Sequence, residues 1–411
     1  MSDKEHNDEP HSGEGSDLEQ KHSSQRLRPA TLTAHLGRAP FDNHGFVNPP
    51  VFRGSTVLFP TLDALKTRKQ PFTYGRRATP TTRALEAAIA KLEGGEATIL
   101  TGSGLQAVTT ALLAFVEAGD TILMVDTVYQ PTRSFCDTAL KRLGVETIYY
   151  DPLVGAGIAD LISPKTRLIF TESPGSQTFE MQDIPAIAAA ARAAGIWTVI
   201  DNTWASPLYF KPFAHGIDVS IQALTKYVVG HADAMLGAVT ANTRAAPFID
   251  RAKEALGTSP GSEETYLALR GLRTLDVRLA RHHQSALEVA RWLAARPEVR
   301  RVMHPALESD PGYEIWSRDF LGASGLFGII LEPVTDNALA AFVNHLKLFG
   351  MGYSWGGYES LILPINPSSY RTATAWNETG TAMRIHIGLE NVGDLIADLE
   401  AGFMRMKAIS G

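Results

Sequence analysis

The sequence predicts an α/β protein, with a mostly parallel central sheet covered by helices and a smaller α/β domain at the C-terminus. Two observations carry this. Between about residues 95 and 240, short β-rich runs alternate with helical segments, the pattern of βαβ units. Beyond Arg296-Pro297 a second, shorter alternation begins. The length of 411 residues suits two domains sharing one body.

The elements follow in order. The first 25 residues hold no apolar run, so residues 1–26 read as a solvated, disordered tail and not as a signal peptide. Residues 27–80 are rich in Pro, Gly and Thr with little periodicity, which predicts an extended arm. A helix begins near Thr82 and closes at Gly94. Strands are expected at 121–126, 146–150, 167–172, 197–201 and 218–224, with helices at 132–144 and 184–195 between them. A larger domain would span 81–265. A long helical stretch over 262–295 opens the C-terminal domain, 266–411, which ends in an amphipathic helix from about 392.

Composition narrows the function classes. Net charge is −6 with no basic stripe, which argues against nucleic acid as a partner. No apolar run approaches the ~20 residues that span a bilayer, so no membrane partner is expected. Cys136 is the single cysteine, which rules out an intramolecular disulfide and fits a reducing, cytoplasmic setting. His282, His283 and His304 follow no metal-ligand spacing, and no metal site is expected.

Ligands of open α/β sheets sit at the carboxyl ends of strands, so polar residues there are the candidates. Thr101-Gly102-Ser103-Gly104 joins a strand-like run to a helical one, and helix N–H groups beside glycine can cradle a phosphate. Alone, such a turn is an ordinary connection. Tyr129 follows one strand run and Asp201 ends another. Lys226, one of 12 lysines, lies among apolar neighbours that favour its uncharged, nucleophilic form. Read singly, Lys226 better suits a lysine reaching water from a strand end, and Asp201 equally suits a turn cap. Arg384 opens a strand near the C-terminus. Gly352-Tyr353-Ser354-Trp355-Gly356 fits the nucleophile elbow of α/β-hydrolases, with Glu378 and His386 following in triad order. The elbow needs a helix after the serine, and the residues that follow do not open one.

Seven segments together resemble the Cys/Met-metabolism family of pyridoxal-phosphate (PLP) enzymes over about residues 30–408. They are TYGRRATPTTRALE (73–86), TGSGLQAV (101–108), DTVYQP (126–131), VIDNTWA (199–205), DVSIQALTKYVVGHADAMLGA (218–238), RGLRTL (270–275) and MRIHIGLE (383–390). YSWGGYESL (353–361) and ESPGSQTFE (172–180), with Trp355, Tyr358 and Ser176, resemble the bacterial β-lyases within that family.

The resemblance implies the aspartate aminotransferase-like fold of PLP-dependent transferases (fold type I). It implies pyridoxal 5'-phosphate as the cofactor and an amino acid as the substrate. Lys226 would bond to the cofactor and then act as the base at Cα. Asp201 would pair with the ring nitrogen. Tyr129 would stack on the ring and assist proton transfer. Gly104, Leu105 and Thr225 would hold the phosphate. Tyr74 and Arg76 would reach the phosphate of a neighbouring subunit, within a tetramer built as a dimer of dimers. Arg384 would grip the substrate α-carboxylate, Ser354 and Trp355 would shape the pocket, and Arg77, with Tyr74, would meet the substrate's far end. The implied reaction turns L-cystathionine and water into homocysteine, pyruvate and ammonia, with cystine and other S-substituted cysteines as further substrates. γ-Elimination and γ-synthase chemistry on the same scaffold is the alternative. Two positions depart from the family pattern, Ala223 before the lysine and Ser134 after the tyrosine.

Overall fold

The computed structural model describes residues 27–410. The expected tail at 1–26 lies outside them. Two sheets organise the chain. The larger has seven strands: β1 Ala97–Thr101, β2 Thr121–Val125, β3 Glu146–Tyr150, β4 Thr166–Glu172, β5 Trp197–Asp201, β6 Val219–Gln222 and β7 Gly237–Ala241. Their spatial order is β1-β7-β6-β5-β4-β2-β3, and β7 alone runs antiparallel to its neighbours. The central strands are buried on both faces, which is why they read as near-continuous apolar runs. Helices Gly104–Leu113 and Ile184–Ala193 cover the sheet and complete its core with Phe170, Ile187, Val199 and Ile221.

The smaller sheet has β8 Val299–Met303, β9 Leu326–Leu331, β10 Phe349–Gly350, β11 Ser360–Ile365 and β12 Ala382–His386, ordered β10-β11-β12-β9-β8. Helix Val392–Ser410 and the second half of helix Leu275–Ala294 pack on it through Leu395, Leu399, Phe403, Val289 and Leu293.

Three expectations needed revision. The helical stretch 262–295 is two helices, Ser262–Leu272 and Leu275–Ala294. Gly271 approaches the Val228 and Val229 carbonyls so closely that a Cβ would sit 2.3–2.4 Å from them. Arg278 then takes up the carbonyls of Gly271, Val228 and Tyr227, which satisfies the end of the first helix. The arm at 27–80 contains short helices at Pro29–His35 and Leu62–Thr67 between extended stretches. The helix near Thr82 starts at Pro80, because Thr79 and Thr82 form a reciprocal capping box.

A loop of the C-terminal half is fastened to the end of β2 by one carboxylate. Asp126 is fully buried. Its oxygens accept from the backbone N–H groups of Thr372, Ala373 and Thr374 at 2.9–3.1 Å and from the Thr374 hydroxyl at 2.9 Å. Arg133 adds an ion pair at 2.7 Å, with Arg371 at 3.6 Å. Burial alone would raise this acid, yet these donors hold it below the ordinary range. Asp126→Asn, which keeps the shape and removes the charge, is expected to cost about 2 kcal/mol, since hydrogen bonds to charged groups carry that much. Denaturant titration checks the loss. A folded-state pKa that is depressed means stability present above the unfolded carboxylate's pKa and lost as pH falls through the native one, so the parent–variant gap should close in acid.

Candidate active site

Strands β1, β2, β4, β5 and β6 deliver their carboxyl ends to one edge of the large sheet, and the candidates from the sequence lie there. Helix Gly104–Leu113 starts three residues after β1. Ser103 caps it, accepting from Gln106 N at 3.1 Å. The first-turn N–H groups of Gly104 and Leu105 meet no acceptor among the described residues. Gly104 is required by its neighbour, since a Cβ there would lie 2.6 Å from Cβ of Ala223. The departure at Ala223 is therefore the contact that seats this turn against the lysine segment. Thr225, two residues after Ala223, spends its hydroxyl on Leu236, donating to its O and accepting from its N.

Asp201 ends β5. Its Oδ1 accepts from the N–H and hydroxyl of Thr203, at 3.0 and 2.6 Å. Among the described residues Oδ2 accepts nothing. Burial raises this acid, against the Thr203 hydrogen bonds and the charge of Lys226. Lys226 lies in the turn after β6, and its Nζ donates to Ser354 Oγ at 2.7 Å. Burial and the nearby Arg384 charge lower its pKa to about 8, although Asp201 opposes them. Tyr129 follows β2 and is 44 % exposed, with the charges of Asp201, Glu172 and Arg384 all acting on its hydroxyl. Arg384 stands on β12, and its Nη2 donates to Ser354 O at 3.0 Å. The Trp355 ring centroid lies 5.1 Å from Lys226 Nζ. Large and small sheets thus meet at Lys226.

Three candidates lie elsewhere. Arg76 and Arg77 both pair with Glu254 near the end of helix Ala246–Leu256. Tyr74 bridges to Thr56 within the arm. None of the three contacts Lys226, Asp201, Tyr129 or Arg384 within the described residues. The hydrolase triad is not assembled. Ser354 Oγ is bound to Lys226, Glu378 pairs with Arg301, and His386 is fully buried with its Nε2 toward Gly356 N. The chain after Ser354 runs into strand β11, not a helix.

Sequence reasoning passed over Glu172. It ends β4 and stands in register with Asp201. Its Oε2 accepts from Tyr129 N at 2.8 Å, which fixes the start of the helix that carries the tyrosine. Burial and the Asp201 charge push its acid well above the usual carboxylate range. An acid closing an apolar strand run was the available signal, the same one that marked Asp201.

These residues fit pyridoxal phosphate. Helix N–H groups without protein acceptors suit a phosphate. A buried carboxyl with one open oxygen suits a protonated ring nitrogen, whose charge supplies what burial withholds. An open aromatic face and an amine of lowered proton affinity complete the set.

Known proteins agree. The sequence pattern of the family described as Cys/Met metabolism PLP-dependent enzyme matches residues 30–404. A cystathionine beta-lyase of Escherichia coli (strain K12) is 46% identical over 387 residues, covering 92% of this chain and 98% of that one. A cystathionine beta-lyase of Salmonella typhimurium is 45% identical with the same coverage. Among solved structures, a cystathionine gamma synthase from Xanthomonas oryzae pv. oryzae, in complex with aminoacrylate and cysteine, superposes with a TM-score of 0.86. It is 31% identical and covers 93% of this chain and all of that one. With motifs, strand-end chemistry and likeness in accord, the chain belongs to the Cys/Met metabolism PLP-dependent enzyme family.

Proposed function

We propose that this enzyme cleaves the carbon–sulfur bond of L-cystathionine by β-elimination, releasing homocysteine, pyruvate and ammonia. The observation that carries the reading is the grouping of Lys226, Ser354, Trp355 and Arg384, in which one amine lies beside both a carboxylate clamp and an aromatic wall. Bound here, pyridoxal phosphate supplies the electron sink that makes the Cα proton acidic. Arg384 grips the α-carboxylate with two parallel N–H groups and so fixes which Cα bond faces the ring. Lys226 removes that proton and returns one to the departing sulfur. Ser354 Oγ, within hydrogen-bond reach, holds the amine ready. The Trp355 ring limits the amine's swing to neighbouring carbons, which favours the β-carbon. The greater likeness to β-lyases than to the γ-synthase supports the same choice.

The leaving group is tested by the keto acid. Purified enzyme fed L-cystathionine is expected to form pyruvate; 2-oxobutyrate would move the chemistry to the γ-carbon. Cystine and S-substituted cysteines carry the same β-carbon–sulfur bond and belong to the same substrate class.

The site is further proposed to be shared between subunits of a tetramer. Phe41, Phe46, Val47, Leu58 and Leu62 leave the arm with an exposed apolar face, with Phe41 and Leu58 exposed by 78% and 84%. Arg76 and Tyr74 stand on the same arm, away from their own Lys226. A second copy covering that face would bring them to its phosphate. Light scattering on the purified protein reads the assembly, and a monomer would end this reading. No helix among the described residues is long and apolar enough to cross a membrane.

A further inference from the structure

The segment Ser354–Gly357 forms a strap across Lys226. Its backbone is unusual, with φ of +85° at Ser354 and +87° at Gly356. Ser354 is not glycine, so its conformation costs energy and persists only where several contacts hold it. Gly356 presses on the lysine's own backbone, and a Cβ there would sit 2.9–3.0 Å from the C, Cα and Cβ atoms of Lys226. The strap therefore has one workable height above Lys226, and something must keep it there.

Strand β12 supplies two fasteners. Arg384 and His386 are two residues apart and so point to the same face of the strand. Arg384 Nη2 takes the Ser354 carbonyl at 3.0 Å. His386 Nε2 lies 3.1 Å from Gly356 N and 3.3 Å from Gly357 O. In either tautomer the ring ties to the strap: a bare Nε2 accepts from the Gly356 N–H, and a protonated one donates to the Gly357 carbonyl. The ring is fully buried, packed between Tyr227 and His282 at centroid distances of 6.0 and 5.3 Å. Tyr227 in turn lies 5.5 Å from Trp355. Burial holds the imidazole neutral, so it serves as a fixed hydrogen-bonding group and not as a titrating one.

We infer that His386 is a positioning residue for the substrate pocket: it sets the height of the Ser354–Gly357 strap, and through the Ser354 carbonyl it sets the position of the Arg384 guanidinium. The inference rests on the reading of Arg384 as the carboxylate clamp. It separates the imidazole from proton transfer, the role that the G-x-S-x-G reading gave it. A displaced strap shifts the Ser354 carbonyl and loosens the Arg384 grip on the amino acid, while the Lys226 backbone, carried by the turn after β6, keeps its place. The effect should fall on KM and binding more than on kcat.

The test uses holoenzyme carrying His386→Phe, which keeps a ring and loses the hydrogen bond, and His386→Gln, which keeps an amide able to accept or donate there. L-Alanine has no leaving group, so its binding, followed by the change in cofactor absorbance, reads the grip without elimination. With His386→Phe the Kd for L-alanine and the KM for L-cystathionine should rise together by about tenfold, the effect of one buried hydrogen bond. The kcat should fall by less than the KM rises, because Ser354 Oγ also moves relative to the Lys226 amine. With His386→Gln both constants should remain within about threefold of the parent's. Equal losses in both variants would assign the effect to packing and overturn the inference, as would parent-like binding by His386→Phe. If that variant does not fold, His386→Asn, whose amide is too short to reach Gly356 N, takes its place, with the same rise expected and parent-like binding counting against it. If the parent releases no keto acid from cystathionine, the proposed reaction fails, while the L-alanine titration still decides the role of His386.

Discussion

Lys226→Ala is expected to abolish the visible absorbance of the purified protein and to lower kcat by about 10⁴-fold, the upper end for a positioned acid–base group. Two functions are lost at once, the amine that bonds to the cofactor and the base that works at Cα. The substitution leaves the fold intact, because the Lys226 side chain donates only to Ser354 Oγ among the described residues, and the backbone bond from Lys226 N to Ala223 O is kept. A variant that stays coloured and active would remove Lys226 from the mechanism. The lysine's setting adds a pH signature. With a pKa of about 8, about a tenth of the amine is neutral at pH 7, far more than for an ordinary lysine. The neutral amine is the form that attacks an aldehyde. The rate at which cofactor-free protein reloads should therefore climb about tenfold per pH unit below 8 and level off above it. A rate still rising steeply at pH 10 would show that the lysine behaves as an exposed one.

Arg384→Ala is expected to lower kcat/KM by about 10³-fold, within the range set by two charge-assisted hydrogen bonds at about 1.5–3 kcal/mol each. Arg384→Lys restores the charge but not the planar fork, and should recover about a tenth of the lost efficiency. The lysine also loses the hold on the Ser354 carbonyl that the guanidinium makes with its second nitrogen. Steady-state kinetics with L-cystathionine check both variants. Arg384→Lys within threefold of the parent would show that a point charge is enough, contrary to the bidentate reading.

Much of this site was legible before any coordinates. Gly104, Tyr129, Asp201 and Lys226 stand where a parallel sheet must present its chemistry, so strand ends located them. What the sequence did not show depended on distant partners. Asp126 ends an apolar strand run just as Asp201 does, yet its meaning lies in the backbone of residues 372–374. No local pattern announces a bond across 246 residues. β7, a short run of Gly and Ala with Val and Thr, lacks a strong period and took its place by pairing with β1 and β6. The break at Arg273–Thr274 was hidden because both helices share the same Leu- and Arg-rich composition, and only the fit of Gly271 against Val228 and Val229 explains it. The arm's arginines were identified by motif, but one subunit alone gives them Glu254 as partner.

The Asp126 fastening also sets an order of assembly for a chain made from one end. Asp126 emerges from the ribosome well before the backbone of residues 372–374 that hydrogen-bonds it, and translation across the 246-residue separation takes about 10–50 s at ordinary rates. During that interval the β2 end carries a carboxylate destined for burial, with Arg133 its nearest available counter-charge. Arg384 and His386 arrive later still. A nascent chain halted before residue 372 already holds Lys226, Asp201 and the Ser354–Gly357 strap, yet it lacks the fastening, the Arg384 clamp and the His386 that ties the strap down. The enzyme's chemistry is thus withheld until Arg384 and His386 have been made.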